Sequence, residues 1–144
     1  MAGNGAAVKV HIDNVVKKFD TRKGEMTALN GVNLDIHENE FVCVVGPSGC
    51  GKSTLLNIIG GLEEPTSGSV TVDGKPVEGP GPDRGIVFQQ YALFPWLTVE
   101  ENVKFGLKLQ GKSKEECDEI ANKYIKLVEL QDFASPTPKS FRAA

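Results

Sequence analysis

Hydrophobic and polar positions change rhythm several times along the chain, and each change marks an element. Val8-Lys-Val-His-Ile12 alternates with the two-residue period of a strand buried on one face. Val15-Val-Lys-Lys-Phe19 continues in strand-forming residues as far as a polar turn, Asp20-Thr-Arg-Lys-Gly24. Ala28 to Ile36 carries Leu29, Val32, Leu34 and Ile36, alternating over its second half. Together these predict an antiparallel, half-exposed sheet. Phe41-Val-Cys-Val-Val45 differs, being apolar at every position, as a parallel strand covered on both faces would be. The contrast predicts two sheets, or one sheet with differently buried parts.

Downstream, Leu55-Leu-Asn-Ile-Ile59 reads as a helix that Gly60-Gly61 ends, with Pro65 shortly beyond. Ser69-Val-Thr-Val72 and Lys75-Pro-Val77 flank Asp73-Gly74, a favoured two-residue hairpin turn, and Pro76 predicts that the second strand lies at an edge. Arg84 to Phe88 reads as a short buried strand ending in Gln89-Gln90, where α/β folds place ligand contacts. Thr98-Val-Glu-Glu101 and Ser113-Lys-Glu-Glu116 each fit a capping box, with the hydroxyl at the N-cap and Glu at N3. The second is expected to open a helix whose packing stripe is Ile120, Tyr124, Leu127 and Val128.

Composition adds exclusions. The 144 residues suit one domain, and 40% hydrophobic with 24% charged residues is an ordinary soluble profile. A net charge of −3 leaves no basic footprint, so nucleic acid is not an expected partner. No apolar run approaches the roughly 20 residues that span a bilayer, and Met1 to Ala7 lacks the features of a signal peptide. Cys43, Cys50 and Cys117 are odd in number and form no paired motif, which predicts reduced thiols and a cytoplasmic location. His11 and His37 stand apart from any metal-ligand cluster.

The chemistry concentrates in Gly46-Pro-Ser-Gly49-Cys-Gly51-Lys52-Ser53-Thr54, which fits the P-loop pattern without a mismatch. The pattern also has its required context, an apolar strand before it and a helix after it. Glycines at 46, 49 and 51 let successive N–H groups point at one anion, and the helix adds the positive end of its dipole. Lys52 supplies a charge for the β- and γ-phosphates, and the Ser53 hydroxyl suits Mg²⁺. Gly46, Pro47, Ser48, Gly49, Cys50, Gly51, Lys52, Ser53 and Thr54 are therefore candidate phosphate-site residues. Cys50 lies beside a helix N-terminus, where thiols gain reactivity, and a small residue equally suits the position.

The P-loop followed by Gly85-Ile-Val-Phe-Gln89-Gln-Tyr-Ala-Leu-Phe-Pro95-Trp-Leu-Thr-Val-Glu-Glu-Asn102-Val resembles the ATP-binding subunit of an ABC transporter, over roughly Val8 to Phe133. The resemblance implies an α/β fold, a P-loop NTPase of the ABC type. An antiparallel β part (8–36) would precede a partial RecA-like parallel core as far as the Q-loop (41–90) and the start of a helical subdomain (91–133). Phe19 resembles the aromatic that stacks on adenine. Gln89 resembles the glutamine that contacts Mg²⁺ and the attacking water, so Lys52 and Gln89 become the candidate catalytic residues, with Ser53 and Gln89 on the metal. Tyr91 to Trp96 resembles the segment that meets the transmembrane permease. ATP and Mg²⁺ are the implied cofactors. The implied partners are the permease, a second ATP-binding subunit and, indirectly, a solute-binding protein, at the cytoplasmic face of the inner membrane. Phe-Pro-Trp-Leu-Thr-Val is similar to importers of the nitrate, sulfonate and taurine group.

After Phe133 the chain departs from that pattern. Residues 134–144 replace the expected approach to a Ser-Gly-Gly signature, and no Walker B aspartate, catalytic glutamate or switch histidine follows. Back-translated and read one nucleotide earlier, Pro136-Thr-Pro-Lys-Ser-Phe-Arg-Ala-Ala permits Ala-Tyr-Pro-Lys-Glu-Leu-Ser-Gly-Gly. The expectation is a frameshift near Ala134 or Ser135, with a genuinely short protein as the alternative. Such a chain is expected to bind ATP weakly and to hydrolyse it negligibly by itself. In the resembled sheet other strands lie between Phe41–Val45 and Gly85–Phe88, so both segments are expected to expose apolar edges here. Two rival readings are a non-catalytic fragment that docks a permease and another P-loop NTPase. A GTPase would want an Asn-Lys-x-Asp motif, which Asn122-Lys-Tyr-Ile does not complete.

Overall fold

The computed structural model describes residues 7–22, 24–90 and 92–135. The chain divides into two compact units, Met1–Val87 and Phe88–Ala144.

The first unit is built on a sheet whose four described strands are β1 (Val8–Thr21), β2 (Gly24–His37), β3 (Ser67–Val72) and β4 (Lys75–Pro76), in the order β2-β1-β3-β4. Every described ladder is antiparallel, as the alternation predicts. The runs 8–12 and 15–19 belong to one continuous strand. Between them the register with β2 shifts from Ile12↔Leu34 to Val15↔Val32, and Asn14 turns to φ 45°. This bulge carries the period past Asp13-Asn14, so that Ile12 and Val15 are both buried although three positions apart. Asn33 Oδ1 accepts the Asn14 N–H at 2.9 Å and secures the bend. The β3–β4 turn is Asp73-Gly74 with φ of 50° and 72°, the primed geometry that matches strand twist, and β4 lies at the edge as Pro76 requires.

A helix, α1 (Lys52–Ile59), covers one face of this sheet. Leu55 and Ile58 join Ile12, Val15, Leu29 and Val70 in the core. At its C-terminus Gly60 is the cap and Gly61 stands at φ 72°. The Leu62 N–H reaches Asn57 O at 2.8 Å and the Gly61 N–H reaches Ile58 O at 3.0 Å, the paired bonds of a Schellman ending.

Two expected strands do not form. Residues 41–45 have no ladder partner among the described residues, and Phe41 is 94% and Val45 87% exposed. Residues 84–88 are likewise unpaired: Val87 is exposed, while Ile86 packs against Gly60 at the end of α1. The physical reason is that a strand forms only where at least one neighbour offers its backbone groups for a ladder. Among the described residues neither segment has such a neighbour, and Phe41, Val45 and Val87 are left exposed.

The second unit contains α2 (Val99–Leu109), α3 (Lys114–Leu127) and a single 3-10 turn at Gln131–Phe133. Both capping boxes are complete: Thr98 and Ser113 hydroxyls accept from the Glu101 and Glu116 N–H groups, and the glutamates accept in return from the cap N–H groups. Those return bonds hold both glutamate carboxyls below their ordinary range. Lys104 on α2 bridges Glu100 and, at 2.5 Å, Asp118 on α3, which raises the Lys104 pKa and lowers that of Asp118.

The expected stripe on α3 is corrected. Cys117, Ala121 and Ile125 are the buried residues, whereas Ile120 is only half-buried and Tyr124, Leu127 and Val128 are 53%, 72% and 59% exposed. Small Cys117 and Ala121 let the helices approach closely, with the Lys104–Asp118 bridge alongside. The hydrophobicity of the sequence favours the larger residues, but packing favours the line that fits.

One titration follows from the sheet. His11 and Asp35 face each other across β1 and β2, Nδ1 to Oδ1 at 2.5 Å, and the hydrogen bond to Asp35 raises the His11 pKa from its ordinary 6.5. A raised folded-state value means the pair stabilises fully below about 6.5 and is lost as pH rises through the higher folded value. Thermal melts between pH 6 and 8 should show a small fall in midpoint that His11→Gln removes. A pH-independent difference between the two proteins would overturn this assignment.

Candidate functional site

The glycine-rich loop lies in the first unit, between the exposed segment 41–45 and the first turn of α1. Gly51 is the helix N-cap, with φ 96° and no side-chain capping bond. The first N–H groups of α1 therefore have neither an acceptor one turn back nor a capping side chain. Gly49 is also left-handed, at φ 81°, and a Cβ there would meet nothing within 4 Å. Gly51 is the opposite case. Its Cβ would lie 2.5 Å from Ala28 O and 2.9 Å from Leu29 Cδ2, so β2 is packed directly against the end of the loop. At Gly46 a Cβ would meet Cys50 Sγ at 2.6 Å, closing the turn from the other end. Backbone angle favours glycine at 49, and angle and space together require it at 51.

Lys52 completes the loop. Its Nζ donates to Gly46 O at 2.8 Å and Pro47 O at 2.7 Å, and lies 3.5 Å from Cys50 Sγ. The ammonium is thus folded over the loop's own carbonyls. Uncapped N–H groups, a helix N-terminus and one cation converge on the same turn, and this donor set suits a phosphate chain. The exposed Ser53 hydroxyl and half-buried Thr54 follow in the first turn of α1. None of the hydrogen bonds that Lys52 makes goes to a carboxylate.

Phe19 lies on β1 opposite Met26 and is half-buried, with Lys17 Nζ 5.0 Å from its ring centroid. That lysine is tethered in turn to Glu63 at 3.0 Å and Glu64 O at 2.7 Å. A cation already occupies part of one ring face, a contact absent from the sequence reading although Lys17 stands one strand period before Phe19. Gln89 is exposed at a bend in the second unit. The structure brings Gly46, Pro47, Cys50 and Lys52 together; no described hydrogen bond joins Phe19 to them.

Of the segment 91–96, Tyr91 lies outside the described residues, as does the frame-shifted reading of 136–144. Phe94 contacts Phe105 on α2 (centroids 4.5 Å apart) and Trp96 (5.6 Å), and Trp96 is 71% exposed. Among the described residues no helix is long and apolar enough to cross a membrane, and no group of three or more histidine, cysteine or acidic residues is placed to hold a metal.

A model of the ABC transporter family matches residues 29–142. An uncharacterized ABC transporter ATP-binding protein of Methanocaldococcus jannaschii is 54% identical over 91% of this chain and 49% of its own length. The nitrate import ATP-binding protein NrtD of Synechocystis is 50% identical over 90% of this chain and 49% of its own. The bicarbonate transport protein CmpD of the same organism is 49% identical over 88% and 46%. The chain spans about half the length of these curated relatives. Among solved structures, a dimeric ATP-binding cassette in a post-hydrolysis state with ADP and Pi aligns with a TM-score of 0.79 at 40% identity, over 90% of this chain and 62% of that one.

Proposed function

Because the chain belongs to the ABC transporter family and has the fold of its P-loop ATPase cassettes, we propose that it is the ATP-binding part of an importer subunit, with Gly46–Thr54 holding the triphosphate of ATP. The observation that carries this reading is the loop itself, in which left-handed Gly49 and Gly51 and an uncapped α1 aim backbone donors at the turn that Lys52 spans. When phosphate arrives, Lys52 exchanges two carbonyl acceptors for phosphate oxygens. Ser53 would hold Mg²⁺, with Gln89 as the second group that the family resemblance assigns to it, and the ion when bound would neutralise charge on the phosphates; Phe19 offers its ring to adenine with Lys17 beside it. The 8–36 segment serves the base, 41–90 the phosphates, and 91–133 the partners.

The partners are a membrane permease meeting residues 91–96, a second ATP-binding subunit, and a solute-binding protein at one remove. The chain works at the cytoplasmic face of a membrane. Nitrate and bicarbonate, the solutes in two relatives' names, are small oxyanions, and a solute of that class is the proposed cargo. The proposal extends to a 144-residue chain that by itself binds nucleotide without turning it over: among the described residues no hydrogen bond of Lys52 goes to a carboxylate that could serve as a general base for water. The deciding experiment is a titration of the purified chain with a fluorescent ATP analogue, with and without Mg²⁺. Saturable binding displaced by ATP, with phosphate release at the no-protein rate, is expected. Absence of binding by folded protein would sink the nucleotide reading, and turnover that depends on Lys52 would sink the proposal of inactivity.

A second reading, a permease-docking fragment without catalysis, draws on the exposed Trp96. Co-purification with permease that survives Lys52→Ala and is lost in Trp96→Ala would favour it.

A further inference from the structure

The side chain of Asn102 makes more hydrogen bonds than the nucleotide reading has any use for. Its Oδ1 accepts the Phe94 N–H at 2.8 Å. Its Nδ2 donates to Phe94 O at 3.1 Å, Leu97 O at 3.3 Å and Thr98 O at 2.9 Å. One half-buried amide thus collects both polar groups of Phe94 and two further carbonyls of the turn that precedes α2. An isolated loop of this length, containing Pro95, would leave those groups to water and sample many conformations. Here it is closed against the first turn of a helix whose own N-cap, Thr98, is one of the bonded residues.

The amide bonds fix the backbone, and the aromatic contacts fix what it displays. Phe94 turns inward onto Phe105, whereas Trp96 leans on Phe94 yet keeps its indole exposed. A large, rigid, solvent-facing aromatic on a pre-ordered turn is the arrangement that lowers the entropy cost of recognition and supplies binding hot spots. We infer that Asn102 is a positioning residue for partner recognition. It latches the 94–98 turn so that Trp96 is presented in one orientation to the apolar pocket of a protein partner. The inference rests on the reading that this segment meets the permease, and it adds the residue that makes the segment competent. An amide of this length matches the donor and acceptor groups of the turn: Gln would reach one methylene too far, and Asp would set a carboxylate against three carbonyls.

Trp96 is the single tryptophan of the chain, so its emission reports this turn alone. Asn102→Ala is expected to lower Trp96 anisotropy and to increase acrylamide quenching, while both capping boxes keep the helical far-UV signal near that of the parent. The conservative Asn102→Asp should behave like Asn102→Ala at neutral pH. On acidification it should recover anisotropy relative to the parent protein at the same pH, because the protonated carboxyl regains a donor. A residue that merely stabilised the fold would not restore a local signal in this way. Docking to detergent-solubilised permease should weaken about tenfold or more in Asn102→Ala, the equivalent of 1.4 kcal/mol. Unchanged anisotropy and quenching in Asn102→Ala would overturn the latch. A loosened Trp96 with undiminished docking would overturn its role in recognition. Undiminished docking in Trp96→Ala, by contrast, would remove the permease reading and leave the latch to be judged by the fluorescence alone.

Discussion

Gly51→Ala should cost the first unit about 2 kcal/mol or more and abolish nucleotide binding with it. A left-handed backbone costs an ordinary residue about 1–2 kcal/mol. The added Cβ would also lie 2.5 Å from Ala28 O and 2.9 Å from Leu29 Cδ2, so either β2 or the N-terminus of α1 must move. Leu29 belongs to the core, and any shift there is felt by Leu55 and Ile58. In a unit of this size such a loss lowers the melting midpoint by roughly 10 °C. Gly49→Ala is the internal comparison, since that position is equally left-handed but meets nothing within 4 Å. It should carry the backbone cost alone and melt between the parent and Gly51→Ala. Equal midpoints for the two variants would show that the contact with β2 carries no weight.

Lys52→Ala should do the reverse, leaving the fold nearly intact and weakening ATP binding by roughly 10- to 150-fold. The magnitude follows from losing charge-assisted hydrogen bonds, about 1.5–3 kcal/mol, at 1.4 kcal/mol per tenfold. The measured loss is net, because in the free protein Nζ already bonds Gly46 O and Pro47 O and gives those bonds up when it turns to phosphate. Both carbonyls belong to an exposed loop where water can replace the ammonium, so the midpoint should move little. Lys52→Arg should not rescue, since a planar fork cannot replace a compact point charge within this turn. Affinity unchanged in Lys52→Ala would mean that nucleotide is held elsewhere. Together the two variants separate a residue that builds the cradle from one that fills it.

Much of this was legible from residue types whose meaning is local. A P-loop is a matter of glycines and one lysine at fixed spacing, a capping box is a hydroxyl and a glutamate three residues apart, and Asp73-Gly74 dictates its own turn. Each needs only a few neighbouring residues, and each stands in the structure where the pattern puts it. The bulge at Asp13-Asn14 was half-legible, since the polar pair interrupts the alternation, but whether the strand ends or bends there depends on Asn33 across the ladder.

The sequence by itself determined the family, the phosphate loop, the helix starts and the antiparallel hairpins, because these rest on local propensity and short spacings. Only the tertiary structure decided which line of α3 is buried, that Lys17 covers Phe19, that β2 leaves room only for glycine at position 51, and that Asn102 closes the turn beneath Trp96. It also decided that two strand-like runs, 41–45 and 84–88, pair with nothing described. The reason is common to all of these. Packing and ladder formation depend on what the rest of the chain brings alongside, and a run of apolar residues states a need for neighbours without supplying them.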